Sequence, residues 1–92
     1  MQSSKFLVSG RVQGVYYRAN VAKNAKNAKT AKFSGYVKNL VDGRVEACVT
    51  CKEEDLETFR AILKKGSLLS KVTSLEETFC DEHFSGLFSV RT

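Results

Sequence analysis

The run Gly10-Arg11-Val12-Gln13-Gly14-Val15-Tyr16-Tyr17-Arg18 gathers the residue types best suited to chemistry in this chain. It closes the apolar, β-prone stretch that begins at Lys5, and from Tyr17 it opens a stretch rich in Ala and Lys without glycine. The pattern predicts a strand that passes through a glycine-containing loop into a helix. In that setting successive main-chain N–H groups can point into one concavity, with the helix N-terminus behind it, and such a nest receives anions. Arg18 ends the run with a guanidinium, whose two parallel donors match phosphate oxygens in a geometry that an ammonium lacks. Glycine-containing turns between strand and helix are also common as plain structure. Spacing alone therefore leaves two readings open, a phosphate seat and a structural turn.

The other reactive residue types carry less. Cys48-x-x-Cys51 has the spacing of a metal or redox pair, but on an alternating strand residues three apart face opposite sides. The chain has three cysteines (Cys48, Cys51, Cys80) and one histidine, His83, so no second Cys pair completes a ligand set. Cys51 is expected in the core and Cys48 as a free thiol. His83, beside Asp81 and Glu82, is expected in a solvated loop.

The elements that must position these residues follow from periodicity. A helix is predicted from about Tyr17 to Lys32, and a strand at Tyr36–Leu40. Asp42-Gly43 then predicts a type I′ hairpin turn. Val45, Ala47, Val49 and Cys51 alternate with Glu46, Cys48 and Thr50, as on a half-buried strand. Glu53-Glu54-Asp55 favours the next helix start, where Leu56, Phe59, Ile62 and Leu63 repeat at helical spacing and Gly66 supplies a stop. Val72–Phe79 and Phe84–Arg91 read as two final strands, the second with Phe84, Phe88 and Val90 on one face. The order is β-α-β-β-α-β with one extra C-terminal strand. That order predicts an α+β fold, a two-layer ferredoxin-like sandwich whose antiparallel sheet of four to five strands carries both helices on one face. No linker is visible, so residues 1–92 are expected to form one domain.

Between Ala22 and Phe33 the chain repeats as AKN-AKN-AKT-AKF. Three residues turn a helix by about 300°, so the lysines drift round the surface and form no single basic stripe.

Two separated motifs bring in a resemblance. Gly10–Arg18 resembles the signature of the acylphosphatase family, Gly-Arg-Val-Gln-Gly-Val, any residue, an aromatic, then Arg. Gly35-Tyr36-Val37-Lys38-Asn39, followed by Asp42-Gly43 and Val45-Glu46, is similar to the family's second block, and Phe84–Arg91 to its last strand. The resemblance covers essentially the whole chain. It implies hydrolysis of the carboxyl–phosphate anhydride of acyl phosphates to a carboxylate and inorganic phosphate, with no metal and no cofactor. By position it assigns phosphate binding to Arg18 and to the main-chain amides of Gln13, Gly14, Val15, Tyr16, Tyr17 and Arg18. It assigns orientation of the attacking water to Asn39, and implies that Tyr17 packs inward while Tyr16 rims the pocket. Two departures stand out. Val21 replaces the family's usual Thr, and the path from Arg18 to Asn39 is one triplet longer than usual. The excess is expected in a lengthened helix-to-strand loop near Lys32–Ser34, because the strand carrying Val37 and Asn39 must keep its register.

Composition bounds the partners. The chain has 92 residues, 15 basic against 10 acidic, a net charge of +5 and 42% apolar residues, as in an ordinary globular domain. That charge suits an anionic partner. RNA recognition on this topology needs aromatics on the central strands, and Arg44–Cys51 has none, so no nucleic acid is expected. No apolar run approaches the roughly 18–20 residues that span a bilayer, and the N-terminus is too polar for a secretory signal. With an odd number of thiols, the expectation is a cytoplasmic monomer acting on a small acyl phosphate. The remaining alternative is a module of the same shape that binds a phosphorylated ligand for a partner protein and turns it over slowly or not at all.

Overall fold

Alternating apolar residues build five strands, and the helices cover one of their two faces. The elements are β1 (Gln2–Arg11), α1 (Tyr17–Lys26), β2 (Ser34–Asn39), β3 (Val45–Cys51), α2 (Leu56–Lys65), β4 (Lys71–Phe79) and β5 (Ser89–Arg91), with a 3-10 turn at Glu53–Asp55 leading into α2. The structure, a computed structural model, describes residues 2–29 and 31–91. Strand order is β4-β1-β3-β2-β5, the ferredoxin-like arrangement extended by one strand. The first four strands pair antiparallel, but β5 runs parallel to β2, so the sheet is mixed and not wholly antiparallel as expected.

The core lies between sheet and helices. Phe6, Val8, Val37, Val45, Ala47, Val49 and Cys51 from the sheet meet Tyr17, Val21, Ala22, Ala25, Leu56, Phe59 and Leu63 from the helices. Phe59 is its centre: its ring lies 5.6 Å from Phe6, 5.2 Å from Phe33 and 5.6 Å from Phe88. Val21, in place of a hydroxyl residue, is fully buried in this cluster. Among the described residues no helix is long and apolar enough to cross a membrane.

Several expectations need correction. Helix α1 ends at Lys26, six residues short of Lys32. Six more helical residues would add about 9 Å, carrying the chain past the point where Ser34 pairs with Thr50. The connection from helix to strand therefore begins at Asn27, earlier than the expected Lys32–Ser34; Thr30 within it lies outside the described residues. Alanines of the triplets make the contacts, with Ala22 and Ala25 buried and Ala28 and Ala31 packed against the core, while Lys23, Lys26, Lys29 and Lys32 are exposed.

The β2–β3 turn is not type I′, because Gly43 has positive φ (94°) and Asp42 does not. Gly43 N–H donates to Leu40 O (3.2 Å) and Leu40 N–H to Arg44 O (2.8 Å), which is a type I turn closed by a glycine bulge. The last strand is shorter than expected, and Phe84 lies outside it. Phe88 enters the core between sheet and helices, while Phe84 packs edge-on to Tyr36 (5.6 Å, 82°). That contact belongs to the opposite face of the sheet, where Phe84 N–H donates to Thr50 Oγ1 (2.9 Å) and Ser34 Oγ to Gly86 O (2.8 Å). The segment through Phe84 and Gly86 therefore crosses the face that the helices leave open, and β3 is buried along its whole length, not half-buried. Cys48 and Cys51 fall on opposite faces, Cys51 in the core and Cys48 against Tyr36. His83 is exposed, with Nδ1 3.5 Å from Ser3 Oγ.

Because three aromatic rings converge on Phe59, Phe59→Ala should cost about 3–5 kcal/mol, or more than about 12 °C in melting temperature for a domain of this size. Thermal unfolding followed by circular dichroism checks this, and a loss of only a few degrees would remove Phe59 from the centre of the core.

Candidate functional site

The β1–α1 connection is shaped by residues of unusual backbone conformation. At Gly10 (φ 125°) the β1–β4 register slips by one residue, and a Cβ there would collide with the Lys71 carbonyl. The bulge bends β1 as it leaves the sheet. Gly14 (φ 71°) and Tyr16 (φ 62°, ψ 20°) are both left-handed, and Val15 between them is not. Alternation of this kind turns successive N–H groups toward one concave side. Among the described residues no hydrogen bond takes up the N–H groups of Gln13, Gly14, Val15 or Tyr16. Helix α1 follows directly, with no side-chain cap and no acidic residue in its first turn. Its own first N–H groups add to the donors there.

The carbonyls of the loop, in contrast, are held from outside. Ser67 Oγ donates to Val15 O (2.6 Å), and Asn20 Nδ2 donates to Tyr16 O (2.9 Å). In a trans peptide the C=O and the following N–H point in opposite directions. Fixing these two carbonyls therefore fixes the N–H groups of Tyr16 and Tyr17 on the other side. Tyr17 is buried in the core and its hydroxyl donates to Leu63 O (2.7 Å), closing an open carbonyl at the end of α2. Burial pushes the Tyr17 phenol well above the usual tyrosine range, so it stays protonated and keeps this bond.

Arg18 and Asn39 meet at this loop. An open cleft of about 380 Å³ is lined by Val12, Gly14, Tyr16, Tyr17, Arg18, Ala19, Asn39 and Val90. Arg18 Nη1 donates to Arg91 O (2.8 Å) on β5, which steadies the guanidinium with one of its five N–H groups. Asn39 ends β2, and by strand alternation it shares the helix-covered side of the sheet with Val37. Its Oδ1 is buried without a hydrogen-bond partner among the described residues, an arrangement that costs about 1–3 kcal/mol unless something else satisfies it.

Of the residues anticipated from sequence, Gly14, Tyr16, Tyr17, Arg18 and Asn39 line one cleft. Tyr17 packs inward and Tyr16 is 74% exposed at the rim. Val15 and the side chain of Gln13 do not line it; Val15 is buried, and Gln13 reaches the β2–β3 turn. Sequence reasoning missed Ser67 and Asn20. Asn20 stands four residues after Tyr16, a helical spacing that could have signalled a bond back to its carbonyl. Ser67 is 52 residues from Val15, and nothing local marks it. Among the described residues no group of three or more His, Cys, Asp or Glu side chains could hold a metal ion.

Arg91 links the cleft to the opposite face of the sheet. Its guanidinium lies 3.9 Å from the centre of the Tyr36 ring. Tyr36 donates to Glu46 Oε2 (2.7 Å) and accepts from Cys48 Sγ (3.2 Å), while Lys5 and Lys38 each approach Glu46 to 3.5 Å. Burial acts to raise the Glu46 carboxyl, but the Tyr36 hydrogen bond and the two ammonium groups outweigh it, and the net shift is downward.

A sheet backed by two helices, with a strand-to-helix loop whose N–H groups have no partner among the described residues and stand beside an arginine, defines an α+β domain of ferredoxin-like topology. A family model described as Acylphosphatase matches residues 4–89. The chain is 45% identical over 76 residues to an acylphosphatase of Thermus thermophilus, covering 83% of each, and 40% identical over 84 residues to one of Haloarcula marismortui, covering 91% of this chain and 89% of that one. The crystal structure of acylphosphatase from Bacillus subtilis superposes with a TM-score of 0.87 at 36% identity, over the full length of both chains. The chain belongs to the acylphosphatase family.

The lowered Glu46 carboxyl sets a pH dependence. A carboxyl that titrates lower when folded stabilises the fold fully above its unfolded value of about 4.3, and that contribution vanishes as pH falls through the folded value. Wild type should therefore exceed Glu46→Gln in stability at about pH 6, with the gap narrowing toward about pH 3. Urea unfolding of both proteins across this range is the check; a gap constant with pH would show that Glu46 is not held charged.

Proposed function

We propose that the chain hydrolyses acyl phosphates to a carboxylate and inorganic phosphate without a metal ion, and that the cleft at the β1–α1 loop is its active site. What supports this reading is that Arg18 and Asn39 line one small cleft together with Gly14 and Tyr16, on a loop whose N–H groups from Gln13 to Tyr16 have no hydrogen-bond partner among the described residues. The phosphoryl group sits in the loop, its oxygens accepting from main-chain N–H groups between Gln13 and Arg18 and from the Arg18 guanidinium. Asn39 holds the attacking water through its side-chain amide, in line with the bond to the leaving carboxylate.

The chemistry asks little more. A carboxylate leaving group has a conjugate acid of pKa about 4, so it departs without a general acid. Phosphoryl transfer then depends on positioning and on stabilising charge at the equatorial oxygens. Among the described residues lining the cleft none is an acidic residue or histidine, so the water's proton passes to a phosphoryl oxygen of the substrate itself. The exposed Tyr16 ring and Val90 at the rim offer apolar surface to the acyl group. Three unpaired thiols favour a reducing cytoplasm as the compartment.

Turnover of benzoyl phosphate with excess chelator is the decisive assay. Wild type should release inorganic phosphate at an undiminished rate. Arg18→Ala should lose both turnover and competitive inhibition by phosphate. Asn39→Ala should lose turnover by about 100-fold or more while phosphate inhibition persists. Tight phosphate binding without turnover in wild type would make the protein a binding module instead, and near-normal turnover in either variant would sink that residue's role.

A further inference from the structure

Gln13 lies in the loop that forms one half of the site, yet its side chain turns away from the cleft. Its Nε2 donates 2.8 Å to Leu40 O and 3.0 Å to Arg44 O. These carbonyls bracket the β2–β3 turn, and each already accepts a main-chain bond, Leu40 O from Gly43 N–H and Arg44 O from Leu40 N–H. Asn39 directly precedes Leu40 and pairs with Val45, which directly follows Arg44. The amide of Gln13 thus closes both ends of the turn that carries Asn39. No ladder does this, because β1 and β3 pair only as far as Val8 and Val45. Among the described residues the two Gln13 bonds are the hydrogen bonds that join residues 12–16 to residues 39–45.

We propose that the Gln13 side chain is a positioning residue that sets the distance between the phosphate seat and the water held by Asn39. This rests on the active-site assignment given under Proposed function. The residue type fits the task. A primary amide offers two protons about 120° apart, which two neighbouring carbonyls can share. Glu has the same shape but, ionised, only accepts, and Met has similar length with no donor. The loop has its own anchors in Ser67 and Asn20. Losing the Gln13 bonds therefore leaves the phosphate seat formed and loosens only its register against Asn39. In-line attack is sensitive to displacements of about 1 Å, which can cost about 100-fold in rate.

The test compares Gln13→Met and Gln13→Glu with wild type on benzoyl phosphate. Both should lower kcat by about 10–100-fold, with KM and the inhibition constant of inorganic phosphate within about twofold of wild type. In an Asn39→Ala background the same substitutions should cost nothing further, because Gln13 acts through Asn39. The side-chain amide resonances of Asn39, followed by NMR in selectively labelled protein, should shift or broaden in both variants while the remaining spectrum stays folded. Unchanged kcat in both variants, parallel loss of phosphate affinity, or a full additional loss in the Asn39→Ala background would each overturn the proposal. Should wild type itself prove inactive, the active-site assignment fails, and the Asn39 resonances alone decide: unmoved in both variants, they overturn the link; moved, they support it.

Discussion

The left-handed corner at Tyr16 is the constraint on which the rest of the molecule turns. A bulky residue in that conformation costs about 1–3 kcal/mol, and glycine would sit there without strain. The strain persists because neighbouring groups fix the backbone on both sides. Ser67 holds the peptide before Tyr16, Asn20 the peptide after it, and the buried Tyr17 anchors the start of α1 through Leu63 O. At about 1 kcal/mol net for each hydrogen bond, three such bonds match the strain they hold. The result is a run of N–H groups without partners among the described residues, which a globular chain tolerates only where water or an anion can reach them.

Placing a cation and an amide at this corner is the work of strand order. Arg18 comes with the corner itself, one residue into α1. Asn39 comes from β2, two strands away from β1, with β3 between them. Beyond β2 lies β5, parallel to it, contributing Val90 to the cleft wall and the Arg91 carbonyl that steadies Arg18. A carboxylate at the cleft would oppose an anion at short range, and among the described residues no acidic side chain lines it. The site therefore combines donors and a neutral amide.

How much of this a reader of the sequence could see depends on the range of each interaction. Val45, Ala47, Val49 and Cys51 declare their strand by alternation, and Leu56, Phe59 and Leu63 their helix by spacing; all are buried where those patterns put them. The loop was legible because glycine at Gly10 and Gly14 is a local requirement of the backbone. The end of α1 was not, since Ala, Lys and Asn propagate a helix well enough and what stops it is the pairing of Ser34 with Thr50. Propensity yields there to tertiary geometry. The turn at Asp42-Gly43 shows the same limit: the dipeptide marks a turn, but the length of the connection selects its type. Full burial of β3 was hidden because its second face is met by contacts no alternation reports: Phe84 at Thr50, Tyr36 at Cys48 and Glu46, and Lys5 and Lys38 at Glu46. Ser67 and the Gln13 side chain act across 52 and about 30 residues of chain, and no periodicity reports such contacts.

The short β5 strand shows why the two faces of the sheet cannot be considered apart. Three residues of ladder hold a strand weakly, and an edge strand presents unpaired groups to solvent. What fixes β5 is side-chain contact on both faces. Phe88 enters the helix-side core just before the strand, and the Arg91 guanidinium lies on the Tyr36 ring on the opposite side. Tyr36 in turn is set by Glu46, which keeps its charge because Lys5 and Lys38 flank it. The outer face thus contributes to a cleft on the inner one: an ion cluster orients a phenol, the phenol's ring seats an arginine, and that arginine's carbonyl steadies the Arg18 guanidinium at the cleft wall.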